Sequence, residues 1–345
     1  MPLLRYLILF FFLNAFHAGA QTLGGNTVFN FLKLPSSPLL TASGGVNTSY
    51  FTNEAGFSSN NPAILTPELH SQLNLSFNGF PGGIKTYSAT GVHHHDKWNT
   101  TFNGHIYFVD YGSIPQTDAA GNVSGNFRPI DFTVQVGAGR KYLEKWYYGA
   151  NLKFIQSSYG QYKSNGIALD FGILFRDSAN DFTASLLAKN MGFQMGTYNG
   201  VAGDLPFDLQ VGFTKRLSKS PFGFSVTAQQ VHRFNLYYED TVFNNENDIT
   251  ANSSFFNKLT QHFVVASHVY LGKNLEATIG YNHLRRSELN VANSANGLTG
   301  FSMGLRLKFQ KLQVLYARAS YQKNITYNQI GVTMQMNQFF GNREL

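Results

Sequence analysis

The chain has 345 residues, of which 13% are charged and 15% aromatic, with 33 glycines and no cysteine. This charged share is about half the ~25% usual in soluble domains, and with so many aromatic residues it is typical of a sheet whose outer face meets lipid. The missing cysteines exclude disulfides, thiolate metal sites and a lipidated anchor cysteine. The net charge of +7 is spread along the chain without a long basic run, which argues against nucleic acid as a partner.

Residues 1–20 have the pattern of a secretory signal peptide. Arg5 provides a positive charge ahead of an apolar stretch over 7–13, and residues 18–20 have the small side chains of a cleavage site. The apolar stretch is too short to span a bilayer comfortably. The sequence therefore predicts export.

Residues 21–69 combine short apolar stretches, such as 28–34, with turn residues at 44–45 and 60–62. The segment is too long and too apolar for a free tail. We expect it to form an N-terminal hatch, or plug, folded inside the barrel that residues 70–340 predict, because a wide lumen needs filling. The alternative is a periplasmic extension that lies against the barrel mouth.

Residues 70–340 contain about fourteen segments in which apolar and polar side chains alternate. Phe301, Met303 and Leu305 fall on one face of such a segment, and Gly304 and Arg306 fall on the other. This period indicates strands whose two faces have different surroundings. The fold class predicted is all-β, a fourteen-stranded antiparallel transmembrane β-barrel. We predict strands near 70–79, 84–93, 98–109, 130–140, 146–157, 165–176, 180–190, 206–217, 221–231, 260–271, 274–284, 299–309, 312–320 and 328–337.

Short and long connections alternate between these strands. The long connections are 110–129, 191–205, 232–259 and 285–298, and short turns always intervene between them. Outer-membrane barrels have short periplasmic turns and longer outer loops, so the pattern predicts the outer membrane of a Gram-negative cell, with outer-membrane lipid around the wall. An even strand number places both termini on the periplasmic side. The charged residues predicted to point into the lumen are Asp131, Lys153, Asp170, Lys189, Asp208, Arg306 and Lys308.

The sequence indicates no catalytic residues, no cofactor and no metal, so we do not expect an enzyme. His93-His94-His95 is the densest cluster of potential metal ligands, but neighbouring strand residues point to opposite faces, and we interpret the cluster as part of a solvated turn. Ser164-Asn165-Gly166 is similar to a segment of outer-membrane phospholipases. Tyr162 stands where the histidine base of those enzymes would be.

Four stretches of the chain carry a family resemblance. They are Gly-Gly-Asn-Thr-Val-Phe-Asn-Phe-Leu-Lys-Leu-Pro (24–35), 43–65, Leu-Pro-Phe-Asp-Leu-Gln-Val-Gly-Phe-Thr-Lys-Arg-Leu (205–217) and 221–226. These stretches resemble the PorQ family of the type IX secretion system, within the FadL-like superfamily of outer-membrane barrels. Asn61, Pro62 and Ala63 form a motif common to many FadL-like hatches, whereas the stretches 24–35 and 205–217 are more specific to the PorQ family. Leu39 departs from the family, in which a basic residue is usual there.

The resemblance implies a non-enzymatic barrel of the attachment complex, in which secreted cargo is processed and fixed to the surface of a Bacteroidota-like cell. The implied partner is a PorZ-like surface protein, with a PorU-like sortase and a PorV-like barrel in the same complex. The resemblance implies no catalytic residue.

Two functions stay open from the sequence. In the first, the long loops anchor a surface partner, and Tyr237, Tyr238, Phe255 and Phe256 are possible partner contacts because aromatic residues dominate interfaces; they suit the barrel rim equally well. In the second, the chain is a FadL-like conduit for hydrophobic small molecules, which predicts an apolar path past the hatch. A closed lumen packed with polar side chains would count against the conduit. A soluble exported β-protein is a third possibility, and it fails if the chain requires detergent.

Overall fold

Fourteen antiparallel strands form a closed barrel in the computed structural model, which describes residues 27–236, 254–289, 297–322 and 325–340. Two further strands, β4 and β5, pair only with each other. The strands are β1 (Gln72–Gly79), β2 (Lys85–His95), β3 (Thr100–Asp110), β4 (Ile114–Thr117), β5 (Val123–Phe127), β6 (Ile130–Tyr142), β7 (Trp146–Tyr159), β8 (Tyr162–Asp177), β9 (Phe182–Gly196), β10 (Asp208–Arg216), β11 (Phe222–Ala228), β12 (Phe263–Leu271), β13 (Leu275–Asn282), β14 (Phe301–Lys308), β15 (Leu312–Gln322) and β16 (Ile325–Gln335).

The helices of the described residues are short. Among them, no helix has the length and apolar character needed to cross a bilayer. The predicted signal peptide lies outside the described residues. The helices are α1 (Pro38–Ala42), α2 (Ala55–Ser58), α3 (Phe255–Thr260), α4 (His283–Glu288) and α5 (Met336–Phe340), with 3₁₀ turns at Asn30–Lys33, Pro62–Ile64, Pro67–Leu69, Pro81–Gly83 and Asp96–Trp98.

The pairing of the first and last strands closes the barrel. Strand β1 pairs with β16 from Gln72 opposite Gln335 to Gly79 opposite Asn328, so the wall has no free edge. This closure confirms the predicted fourteen-stranded antiparallel barrel. A closed wall satisfies the backbone donors and acceptors that hydrocarbon could not satisfy.

The two faces of the wall differ as the alternation predicts. In β14, Met303 and Leu305 on the outer face are 52% and 51% exposed, whereas Ser302 and Arg306 on the inner face are 2% and 4% exposed. Exposed apolar side chains on an outer wall match the apolar band of membrane barrels. The lumenal position predicted for the charged residues is also confirmed, most clearly for Asp131 and Asp170, which are fully buried.

The barrel has two distinct ends. The β1 strand begins and the β16 strand ends at the same end, where the other strands are joined by short turns; we call it the short-turn end. The connections from β9 to β10, from β11 to β12 and from β13 to β14 leave and re-enter the barrel at the opposite end, which we call the long-loop end. The predicted long connection 110–129 also lies there, and it contains the β4–β5 hairpin, which the sequence analysis did not predict. Asp118 forms its turn by accepting hydrogen bonds from the backbone N–H groups of Ala120 and Asn122.

Candidate functional site: the plugged lumen

Residues 27–69, which we call the hatch, lie inside the barrel. Hydrogen bonds join the hatch to strands around the whole circumference. Because these strands face one another across the lumen, the hatch fills the cross-section. The bonds that show this join Thr41 to Gln329 of β16 at 2.6 Å, Ser49 to Thr214 of β10 at 2.8 Å, Ser58 to Asn103 of β3 at 3.0 Å, and Ala42 to Ser302 of β14 at 3.1 Å.

Asn61, Pro62 and Ala63, the predicted hatch motif, form a tight turn against the wall. The Asn61 side chain accepts a hydrogen bond from the Ala63 N–H at 3.0 Å and thereby caps the 3₁₀ turn that starts at Pro62. Its Nδ2 donates to the Thr48 carbonyl at 2.7 Å and to the Ser185 hydroxyl of β9 at 3.1 Å. The motif therefore connects two parts of the hatch to one strand.

Three glycines of the wall make room for this motif. A Cβ atom at Gly139 or Gly149 would lie 2.5 or 2.4 Å from the Pro62 carbonyl oxygen, and one at Gly172 would lie 2.3 Å from Asn61 Oδ1. Any other residue at these positions requires the hatch to shift. We call Gly139, Gly149 and Gly172 the glycine patch, and it explains why these lumen-facing positions carry no side chain.

A buried ionic cluster fixes the hatch to β12–β14. Arg306 forms an ion pair with Glu276 and donates to the Thr52 hydroxyl of the hatch at 2.7 Å. The Tyr50 hydroxyl, also from the hatch, donates to the same Glu276 carboxylate, and the Tyr50 ring stacks on His268 with centroids 4.1 Å apart. Glu276 and Arg306 are 2% and 4% exposed, so the cluster is shielded from water. The hatch is positioned here by its Tyr50 and Thr52 hydroxyls, because hydrogen bonds to buried charged groups are stronger than those between neutral groups.

A second ionic cluster lies where β8 and β9 shift register. Lys153 pairs with Asp170 at 2.6 Å, and Asp170 also accepts from the Asn190 N–H at 2.8 Å. Lys189 donates to the Asn60 side chain of the hatch at 2.7 Å. Polar and charged side chains therefore occupy most of the lumen at mid-height, where Lys153 and Lys189 also line a small cavity of about 40 Å³.

A cavity of about 260 Å³ lies between the hatch and the long-loop end, and we call it the long-loop chamber. One part of its lining is aliphatic, and another part carries both signs of charge. Burial lowers the pKa of Lys33 and raises the pKa of Glu288, two of the charged groups at this chamber. The aliphatic lining residues are Leu32, Leu34, Leu40, Val46, Leu284 and Leu289, and the charged ones are Lys33, Lys189, Asp208, Arg285 and Glu288.

The cavities at the other end are separate from this chamber. Two cavities of about 240 and 460 Å³ open at the short-turn end. In the described part of the chain, neither shares a lining residue with the long-loop chamber. The hatch and its ionic clusters lie between them.

The remaining predicted site residues lie apart from this lumen. Phe255 and Phe256 are both 68% exposed on α3 at the long-loop end, and the Phe255 ring lies 5.5 Å from that of Phe234. Tyr237 and Tyr238 lie outside the described residues. The exposure of Phe255 and Phe256 is the structural feature that suits a protein interface, and it does not identify a partner. Their role as partner contacts therefore stays a prediction.

The histidine cluster is dispersed by the strand geometry. His94 points inward and contacts Thr101 at 2.9 Å, His95 stacks on Trp98 with centroids 4.5 Å apart, and His93 lies beside His70. Across the ranges that the structure describes, no group of three or more acidic, histidine or cysteine side chains is arranged to hold a metal ion.

The sequence analysis did not identify Glu276, Tyr50 or His268 as members of the ionic cluster. The alternation pattern could have identified Glu276, because it places this residue on the lumen-facing side of the predicted strand that neighbours the strand of Arg306. No sequence pattern could have identified Tyr50, because the hatch has no regular period from which the contacts of its side chains with the wall could be predicted.

Comparison with known proteins identifies the fold. Neither a protein-family model nor a curated protein sequence matches the chain. The toluene transporter TbuX of Ralstonia pickettii is similar in structure, with a TM-score of 0.53 and 11% identity over 89% of this chain and 98% of that one. The monoaromatic hydrocarbon channel CymD has a TM-score of 0.51 and 12% identity over 89% of this chain and 97% of that one. The chain thus shares the barrel fold of these two proteins.

The glycine patch yields a first prediction. In Gly149→Ala the new methyl group collides with the Pro62 carbonyl, so we expect hatch stability to fall by about 1–3 kcal/mol. Hydrogen exchange of the peptide covering 55–66 measures the effect as faster exchange. Gly104→Ala is the matched control, because a Cβ at Gly104 meets nothing within 4 Å. Equal protection in the two variants would contradict the packing of the motif on the wall.

Glu54 of the hatch yields a prediction on pH. Burial raises the pKa of its carboxyl group from 4.5 to about 7; Oε1 accepts from the Gly56 N–H at 3.0 Å, and Oε2 has no partner in the described structure. The folded state therefore binds the proton more tightly than the unfolded state. Its stabilising effect is complete below pH 4.5 and is lost as the pH rises through about 7.

Glu54→Gln keeps the shape of the side chain and removes this titration. Between pH 5 and 8 the parent barrel should lose about 2.5 kcal/mol of unfolding free energy that the variant retains. Urea unfolding in detergent at several pH values measures the difference, with Glu68→Gln as the control at an exposed hatch carboxylate. Parallel pH profiles for the parent and Glu54→Gln would refute the assignment.

Proposed function

We propose that this chain is a non-enzymatic anchor in the outer membrane, a PorQ-like member of a type IX secretion attachment complex. The observation that carries the proposal is the filled lumen, in which the hatch is bonded to facing walls through buried ionic clusters. An anchor needs only a rigid wall and an exposed surface. A conduit needs a route past the hatch, and the cavities of the two ends are separate.

The contact between the two most family-specific stretches supports this proposal. Thr27 forms a bridge with Asp204, and the Val28 N–H donates to the Asp204 carbonyl at 2.9 Å. Phe29 and Leu205 then pack in one buried cluster. The start of the described hatch is thereby joined to the chain just before β10, and each of the two resembling stretches contributes a residue to this cluster.

The partner in this proposal is a PorZ-like surface protein, with a PorU-like sortase and a PorV-like barrel in the same complex. The long-loop end faces the outside of the cell, and α3 supplies its aromatic contacts. Phe234, Phe255 and Phe256 are 55%, 68% and 68% exposed. Exposed aromatic side chains of this kind favour a protein interface.

A FadL-like conduit for hydrophobic small molecules is the second candidate, and the comparisons favour it over the anchor. TbuX is named as a toluene transporter and CymD as a monoaromatic hydrocarbon channel, and neither name refers to secretion. The aliphatic part of the long-loop chamber suits such a ligand. In this candidate the hatch moves to open a route.

The anchor is tested by extraction of the native complex in mild detergent. Phe255→Ser with Phe256→Ser should reduce the co-purified surface partner at least tenfold while the barrel remains inserted, because the variant removes two exposed aromatic contacts. Trp98→Ser is the control, since Trp98 is 59% exposed at the short-turn end. Unchanged co-purification removes α3 from the interface, and recovery of no partner even with the parent chain contradicts the anchor.

A disulfide between hatch and wall separates the two candidates. The Ser49 and Thr214 hydroxyl oxygens lie 2.8 Å apart, so Ser49→Cys with Thr214→Cys can cross-link the hatch in a chain that has no other cysteine. If the chain is a conduit, cross-linking stops uptake of a radiolabelled monoaromatic hydrocarbon, and a reductant restores it. If the chain is an anchor, co-purification is unchanged by the cross-link and the chain confers no uptake. Ser49→Cys alone is the control.

A further inference from the structure

The lumen opening at the short-turn end is surrounded by positive charge. Lys141 of β6, Arg176 of β8, Arg216 of β10 and Lys308 of β14 occupy lumen-facing positions at the ends of their strands. We call these four residues the cationic mouth. They come from strands spread around the barrel, so the charge surrounds the opening.

Aromatic rings hold three of these cations in place. The Arg176 guanidinium lies 4.0 Å from the centroid of Phe51 in the hatch, and the Arg216 guanidinium lies 4.1 Å from that of Tyr270. Lys141 lies 5.8 Å from the centroid of Tyr147. A guanidinium stacked on a ring keeps its N–H edge free, and that edge matches the geometry of a carboxylate.

Among the described residues, three of these four cations form no ion pair at contact distance. Within the described ranges, none of Lys141, Arg176 and Arg216 has a carboxylate within 4.0 Å. Lys308 lies 3.6 Å from Glu276, a carboxylate that Arg306 also engages. Like charges gathered around a concave opening produce a focused positive potential, which attracts anionic groups.

The mouth also offers space for side chains. The cavity of about 460 Å³ lies beside Lys141 and is lined in addition by His94, Thr101 and Tyr147. Two carboxylates, those of Glu68 in the hatch and Glu144 in the turn after β6, also line this cavity, and so does a further cation, Arg140. An incoming carboxylate would meet Lys141 at the wall of this cavity.

We propose that the cationic mouth binds an aspartate- and glutamate-rich segment of a protein on the short-turn side of the membrane. A peptide fits better than lipid headgroups because these cations point into the lumen, where headgroups around the rim do not reach. Lys97, Lys219 and Lys273 lie in the short turns and are the cations placed to meet headgroups. The partner is distinct from the one proposed at the long-loop end, so the two proposals stand independently.

The test uses the full-length barrel in nanodiscs of neutral phosphatidylcholine and a fluorescent peptide of eight alternating Glu and Asp residues. Fluorescence anisotropy should show binding that weakens as salt rises, because exposed charges are screened. The triple variant Lys141→Gln, Arg176→Gln, Arg216→Gln should weaken binding at least tenfold. The double variant Lys141→Gln, Arg216→Gln keeps the contact of Arg176 with Phe51 of the hatch and should weaken peptide binding at least threefold. This variant excludes displacement of the hatch as the cause of the weaker binding.

The matched control is Lys97→Gln, Lys219→Gln, Lys273→Gln, which removes the same number of charges from the turns and should keep the affinity within twofold. Equal losses in the two triple variants would show attraction by net charge alone and would overturn the proposal. A repeat in nanodiscs that contain anionic phosphatidylglycerol lowers all affinities through general repulsion of the acidic peptide, but it should keep the at least tenfold difference between the parent and the triple variant. Loss of that difference would show that headgroups occupy the mouth, and this also overturns the proposal.

Discussion

The structure depends on one constraint, which is that hydrocarbon offers no partner to a backbone N–H or C=O group. The wall meets it by closing, with β1 paired to β16 and every strand paired on both sides. Closure with fourteen strands leaves a lumen too wide for wall side chains alone to fill. The hatch is the consequence of that width, since it supplies the atoms that the wall cannot.

A polar lumen decides how the hatch is built. Its backbone and side chains must hydrogen-bond to the inward face of the wall, and short capped turns do this more readily than one long helix would. Where the backbone approaches the wall most closely, at Pro62, the glycine patch replaces side chains with space. Where polar side chains meet, as at Tyr50 and Glu276, the hydrogen bonds of the hatch to these buried charged groups select one position of the hatch over others.

Alternation in the sequence was sufficient to predict all fourteen wall strands and the lumenal position of residues such as Lys153 and Asp170. The physical reason is that each strand has lipid on one face and water or polar atoms on the other. A shift of such a strand by one residue would expose its charged side chains to lipid. The β4–β5 hairpin was missed because neither of its faces is buried, so it carries no such alternation. The contact of Thr27 with Asp204 joins segments far apart in sequence, and no local pattern indicates it. Strand ends are equally hard to predict, and for that reason the cationic mouth became visible only in the structure.

The contacts that position the hatch also determine how much free energy is needed to move it and open a transport route. Withdrawing the hatch from β13 and β14 would take Tyr50 and Thr52 away from Glu276 and Arg306, and each hydrogen bond lost to these charged groups costs about 1.5–3 kcal/mol. The long-loop chamber is bounded by Lys189, Asp208 and Arg285, so its charged lining disfavours a purely apolar solute as well. A route for such a solute would have to follow the aliphatic residues of the chamber and leave the ionic clusters intact. A rigid plugged cylinder requires none of these rearrangements, and on physical grounds it is the state that these interactions favour.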